Sequence, residues 1–270
     1  MLPEKVRLMA HCLITRPTEF VDRVAGLLDR LTDHSQESTT HPFPPDAVWS
    51  FLSDALRIDV ESILREPTLL QTEAMLRSRI DSIPSDAVFR PGNCAEPLLG
   101  RVAYVVCRAL RPTTVLETGV AYGSSTTYLL AALGANRYGQ LHSVDLPSIL
   151  DPQARLVGQI IPDALRSRWK LYLGASRRIL PSVLKAIGSV DVFLHDSLHT
   201  NRNMRAEFTA VTPYLGRPSV VLSDDVHFNH AFEDWARETA RDWAQVRQIT
   251  RSGALGIAVC GADPNNGDGH

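Results

Sequence analysis

The twelve residues from Val115 to Thr126 constrain this chain more than any other stretch. They pass from a short apolar run through an acid, Glu117, to two glycines four positions apart, Gly119 and Gly123, with Tyr122 between them. Ser124, Ser125 and Thr126 then open a helix. Glycine carries no Cβ, so the backbone can turn sharply at Gly119 and Gly123 and a ligand can lie against it. A strand that runs into a glycine-rich turn and a helix N-terminus is how open α/β sheets build nucleotide sites at the carboxyl ends of their strands. The spacing is E-x-G-x-x-x-G rather than G-x-G-x-x-G. It lacks the tight glycine pair that a dinucleotide pyrophosphate needs, which weakens a nicotinamide-cofactor reading.

From about residue 95 onward, strand and helix patterns alternate. Helical spacing covers 96–110, 124–133, 179–187, 202–213 and 230–240. Strand patterns cover 114–117, 140–145, 169–173, 190–195 and 219–223, and 246–250 with 256–260 read as a closing hairpin. Alternation of this kind dictates an α/β fold with a mostly parallel sheet and right-handed crossovers. Residues 1–90 read instead as a helical region, with helices at 20–31, 49–64 and 68–83 and a polar, Pro-containing connection at 35–45. This region suits extra packing on the main domain, a lid, or a dimerisation element. The expected organisation is a helical region over 1–90, a ligand-binding domain over 91–262 and a disordered tail over 263–270.

With 44% hydrophobic and 21% charged residues, the chain can bury a core. A net charge of -2 gives no basic footprint for nucleic acid. No apolar run approaches the roughly 20 residues that span a bilayer, and the N-terminus has no signal-peptide core. Cys12, Cys94, Cys107 and Cys260 are scattered without a CxxC, so a cytoplasmic protein with reduced thiols and no structural zinc is expected. The expected partners are a small molecule and, through the helical region, a second copy of the chain; neither nucleic acid nor membrane is expected.

The Glu117–Thr126 pattern resembles the first motif of class I S-adenosylmethionine-dependent methyltransferases. Five βα units and a terminal hairpin resemble that family's Rossmann-like, seven-stranded sheet. The resemblance implies that Glu117 organises the glycine loop and meets the amino group of the methionine moiety, and that Gly174, Ala175 and Ser176 line the adenine. Asp145, twenty-eight residues after Glu117, ends the second strand, where an acid can accept hydrogen bonds from both ribose hydroxyls. Ser124 and Ser125 either cap their helix or turn their backbone N–H groups toward the methionine carboxylate.

The second strong signal is Val190–His199, an apolar strand that ends in His195-Asp196-Ser197-Leu198-His199. The fifth strand ends likewise in Ser223-Asp224-Asp225. If these strands are neighbours, Asp196, Asp224 and Asp225 converge, and three carboxylates at one point repel unless a cation sits among them. Mg²⁺ or another hard divalent ion is the economical answer; helix capping by the same acids is the rival. The arrangement is similar to that of the catechol-type O-methyltransferases, with His199 where that family has Lys and Asp225 where it has Asn. It is closer to bacterial O-methyltransferases that tailor natural products, macrolide sugars among them. The resemblance covers roughly 95–260 and implies methyl transfer to a hydroxyl of a small metabolite, with Asp196 and His199 as catalytic residues and His199 as the base. Strand alternation aims His195 away from Asp196. The alternatives are metal-independent N- or C-methylation and a non-catalytic cofactor-binding protein.

Overall fold

Each strand of the sheet divides its side chains between two apolar layers, and that division sets the architecture. The structure, a computed structural model, describes residues 4–84, 94, 96–151, 153–250 and 252–261; the tail expected to be disordered lies outside these. Ten helices are described, α1 (Glu4–Thr15), α2 (Pro17–Thr32), α3 (Ala47–Leu56), α4 (Val60–Leu64), α5 (Pro67–Asp81), α6 (Pro97–Leu110), α7 (Ser124–Asn136), α8 (Ser176–Ile187), α9 (Asn201–Val211) and α10 (Ala231–Thr239). Seven strands are described, β1 (Thr114–Thr118), β2 (Gln140–Asp145), β3 (Trp169–Leu173), β4 (Val190–His195), β5 (Leu215–Ser223), β6 (Asp242–Arg247) and β7 (Ala254–Cys260). They form one sheet in the order β3-β2-β1-β4-β5-β7-β6, parallel except for β7, which runs antiparallel to β5 and β6.

Successive residues of a strand point to opposite faces. Val115, Val192, Leu194, Val220, Leu222 and Ile257 pack with helices α3 to α7. Leu116, Phe193, Val221 and Ala258 pack with α8, α9 and α10. Covered on both faces, the inner strands can be apolar throughout, which is why 115–116 and 192–194 read as unbroken runs. The chain order reverses beside β1: β2 and β3 extend the sheet one way, and β4 returns to the other flank. The exits of β1 and β4 are therefore the crevice where ligands bind in open α/β sheets.

Several boundaries depart from the sequence reading; β5, for one, begins at Leu215 rather than at 219. The helix expected over 49–64 is two, because Arg57 takes a left-handed conformation (φ 55) and Asp59 caps a new start by accepting from Ser62 N at 3.2 Å. The strand expected at 246–250 begins earlier, at Asp242, because its register with β7 sets Gln245 against Gly256. The first helix, α1, was not singled out at all. It packs on α2 as a hairpin, and Ile14, Val21, Leu27, Leu28 and Leu31 of that hairpin are exposed.

Polar contacts hold α2 across the sheet's carboxyl edge. Asp22 pairs with Arg178 at 2.7 Å, and Asp29 with both Arg177 and Arg202 at 2.9 Å. Arg23 donates to Pro147 O at 2.6 Å, and Asn201 N donates to Asp33 at 2.8 Å. The N-terminal region thus sits over the loops that follow β2, β3 and β4.

Candidate functional site

The glycine loop is held from beneath by two acids. Glu117, at the end of β1, is 0% exposed and accepts hydrogen bonds from Ser125 Oγ (2.7 Å), Thr126 Oγ1 (2.9 Å) and Ser143 Oγ (2.7 Å). Trp169 Nε1 donates to Ser143 Oγ in turn. The three bonds to Glu117 tie the end of β1 to the start of α7 and to β2. Burial pushes the Glu117 carboxyl up to about 7 against the three hydroxyl donors, with the charge of Asp145 adding to the rise. Asp145 turns one oxygen to the loop as well, accepting from Val120 N at 2.6 Å and Ala121 N at 3.0 Å. Burial raises its pKa too, opposed by those two amides.

The raised Glu117 value has a consequence for stability. Folded Glu117 holds its proton to higher pH than the unfolded residue, so its contribution is full below about pH 4.5 and is lost as pH rises through 7. Glu117→Gln removes that titration. The difference in melting temperature between variant and wild type is expected to move in the variant's favour from pH 5 to pH 8. Parallel melting curves across that range would show that the buried acid does not titrate there.

The packing of the protein itself requires both glycines. Gly119 has φ 85, and a Cβ built there would lie 1.9 Å from the carbonyl oxygen of Asp196. Gly123 has φ 95, and a Cβ there would meet Ile161 at 2.6 Å. The loop is thus clamped between the β4 exit and the segment after β2, which also donates Gly158 N to Ala121 O and Ile160 N to Tyr122 O. Tyr122 is 2% exposed, its ring in the core rather than on the loop surface. Ser124 and Ser125 begin α7, where helix geometry leaves the first backbone N–H groups without intrahelical acceptors. Gly174 donates its N–H to Asp145 O, Ala175 precedes α8, and Ser176 begins it.

The exits of β4 and β5 meet as expected. Asp196 N donates to Thr118 O and Asp224 N to His195 O, both at 2.8 Å, which ties the two acid-bearing turns to neighbouring strand ends. Asp196, His199 and Asp224 each place a ligand-type atom within 4.8 Å of the others. Asp225 is outside that trio. It takes a left-handed conformation (φ 50) and sets Oδ2 3.8 Å from His199 Nδ1, while His199 Nε2 lies 3.7 Å from Asp196 Oδ1. Asp224 is 1% exposed and accepts from Gln248 Nε2, at the tip of the β6–β7 hairpin. Glu96 secures that tip by accepting from Ile249 N and Thr250 N. His195 is a core residue: its ring is 0% exposed, with Nδ1 2.7 Å from Glu207 Oε2. His227 accepts from Ala254 N, and His230 pairs with Glu233 at 3.5 Å.

Glu207 and Gln248 escaped the sequence reading. Burial pushes the Glu207 carboxyl up, yet the His195 charge and the hydrogen bonds of His195, Ser176 and Ser197 hold it at about 2. Its one local trace is Asn203, one helical turn earlier, which donates to Glu207 Oε1 at 2.9 Å.

Residues 116–226 match the family model described as a methyltransferase domain. That segment runs from the glycine loop to the acids after β5. The seven-stranded sheet has the Rossmann-like methyltransferase fold. No curated protein matches the chain. Among solved structures, this methyltransferase fold is similar to a candidate O-methyltransferase from Klebsiella pneumoniae, at 18% identity over 80% of this chain and 97% of that one, with a TM-score of 0.52. It is also similar to the O-methyltransferase TomG of Streptomyces achromogenes, involved in tomaymycin synthesis and solved with SAM, at 16% identity over 80% and 96% of the two chains and a TM-score of 0.50. A third similar structure is an O-methyltransferase from Bacillus cereus solved with SAH, at 16% identity over 79% and 97% and a TM-score of 0.50. These likenesses concern the fold; no described helix is long and apolar enough to cross a membrane.

Proposed function

We propose that the protein is an S-adenosylmethionine-dependent O-methyltransferase acting on a hydroxyl of a small metabolite, of the kind met in natural-product tailoring, with a divalent cation assisting. The observation that carries this reading is the contact between the glycine loop and the acid cluster. Gly119 abuts the backbone of Asp196, so a donor at the loop and an acceptor at the cluster are neighbours.

Glu117 and Asp145 preorganise the loop, and Gly174 to Ser176 form the next turn along the same edge. S-adenosylmethionine supplies an electrophilic methyl group, so the protein's task is alignment of two centres and removal of one proton. The Asp196, His199 and Asp224 cluster has the chemistry for this reaction: two carboxylate oxygens that suit Mg²⁺ or another hard divalent ion, and an imidazole beside them. Such an ion, when bound, lowers the pKa of an acceptor hydroxyl. Asp196 and Asp224 hold it in this reading. His199 takes the proton, with Asp225 behind its Nδ1 to orient the ring. That His199–Asp225 pair also supports a second reading, base catalysis with no cation. For the homodimer we assign the exposed face of the α1–α2 hairpin.

Calorimetric titration with S-adenosylhomocysteine and then Mn²⁺, each with and without chelator, tests the proposal. Cofactor binding on the order of micromolar, indifferent to chelator, and one Mn²⁺ per chain are expected. Absence of cofactor binding would refute methyl transfer. Cofactor binding without Mn²⁺ binding would leave the metal-free His199–Asp225 reading. Light scattering on the same sample checks the dimer, for which twice the chain mass is expected.

A further inference from the structure

We propose that Glu207, on α9, is the positioning residue of this site, acting through the 195–199 segment that carries Asp196 and His199. The inference rests on the cation-assisted reading for what the segment does, and on geometry for the part Glu207 plays.

Glu207 is fully buried, and donors from β1, the 195–199 segment and α9 converge on it. Thr118 Oγ1 at the end of β1 donates to Oε2 at 2.6 Å, and His195 Nδ1 at the end of β4 lies 2.7 Å from the same oxygen. Ser197 Oγ, between the two site residues, donates to Oε1 at 2.6 Å, and Asn203 Nδ2 donates there at 2.9 Å. Asn203 also donates to Leu198 O at 3.0 Å, so His195, Ser197 and Leu198 are all tied down from below. The ring of His195 packs edge to face on His199, with centroids 5.4 Å apart. Among the described residues His195 Nε2 has no hydrogen-bond partner, so the hydrogen bond that orients this ring runs to Glu207.

A buried carboxylate on which several donors converge is a rigid node, because losing it strands each donor away from water. Glu207 acts on Asp196 and His199 through their neighbours. It fixes the residues on either side of Asp196 and the ring on which His199 leans. It reaches β1 through Thr118, below the glycine loop. Its loss should therefore act on the acid–imidazole cluster more than on the cofactor loop.

The test uses the full chain with three substitutions, Glu207→Gln, Glu207→Asp and Ser197→Ala. Mn²⁺ affinity is read by electron paramagnetic resonance, S-adenosylhomocysteine affinity by calorimetry, and the His199 ring by its ¹H–¹⁵N resonances. Glu207→Gln places an amide N–H₂ against donors and is expected to weaken Mn²⁺ about 10- to 100-fold, the range for groups that orient ligands. Cofactor affinity should stay within about threefold, and the His199 resonances should shift. Ser197→Ala removes a single donor and should give a smaller loss of the same sign, which keeps the test alive if Glu207→Gln does not fold. Glu207→Asp keeps the charge but not the reach, and should fall between Glu207→Gln and wild type.

Unchanged Mn²⁺ affinity in the folded variants would overturn the proposal, as would equal losses of Mn²⁺ and cofactor, which mark general damage. Should wild type bind cofactor but no Mn²⁺, the cation reading fails by itself. The His199 resonances then decide on Glu207: a shift in Glu207→Gln or Ser197→Ala upholds it, and an unmoved His199 refutes it.

Discussion

Gly119→Ala is expected to abolish measurable cofactor binding and to lower the melting temperature by roughly 5–20 °C. Two costs add. The residue has φ 85, where an L side chain costs about 1–3 kcal/mol. The new Cβ would also stand 1.9 Å from Asp196 O, 2.5 Å from Asp196 C and 2.9 Å from Ser197 N. All three are backbone atoms, so no side chain can swing aside; the β4 exit must move, at an overpacking cost of about 1–3 kcal/mol. For a domain of this size each kcal/mol lowers the melting temperature by about 2–4 °C. Movement there also threatens the 2.8 Å bond from Asp196 N to Thr118 O, which couples donor loop and acid cluster. Gly123→Ala is the comparison, because its Cβ meets first the side chain of Ile161, which can yield. Calorimetry and thermal melts would check both variants. A Gly119→Ala protein that melts and binds like wild type would show that the two exits are not packed as described.

The second large effect separates function from stability. Asp196→Asn and Asp224→Asn keep the shape of the side chain and remove one negative charge each. Both are expected to weaken Mn²⁺ by about 100-fold or more, at or beyond the upper end of what groups behind the ligands contribute. Melting temperature in chelator should hold or rise, because carboxylates whose oxygens stand within 4.8 Å of each other repel when no cation lies between them. Loss of ion binding together with higher apo stability is the pattern of a ligand cluster held against its own repulsion. If ion binding survived in both variants, the cation would have to bind elsewhere. If stability fell instead, the acids would be serving as helix caps and loop anchors, the rival reading of the same residues.

The parts of this protein that were readable beforehand are those written in short-range pattern. Apolar runs at 115–116 and 192–194, bounded by acids at 117 and 196, announce strands buried on both faces that end in a crevice. The adjacency of β4 and β5, and hence the meeting of Asp196 with Asp224, follows from the connection rules for parallel strands. Strand alternation aimed His195 away from Asp196, and its ring is buried. What stayed hidden depends on long-range contact or on a single backbone torsion. Arg57 breaks a helix that periodicity runs straight through. Glu207 sits on an amphipathic helix, where an acid ordinarily reads as a solvated face, and its partners lie as far as 89 positions away.

The sequence alone thus determined the class of fold, the glycine turn after β1 and the ionisable ends of β4 and β5, because hydrophobic period and turn chemistry act over a few residues. Only the tertiary structure decided how those groups are used. It turned Glu117 and one oxygen of Asp145 to the glycine loop and placed His199 rather than Asp225 with Asp196 and Asp224. It also brought Glu207 beneath the 195–199 turn and latched α2 over the strand ends by Asp22 and Asp29. A carboxylate's role is set by which donors and charges surround it, and those surroundings exist only once distant segments have been packed together.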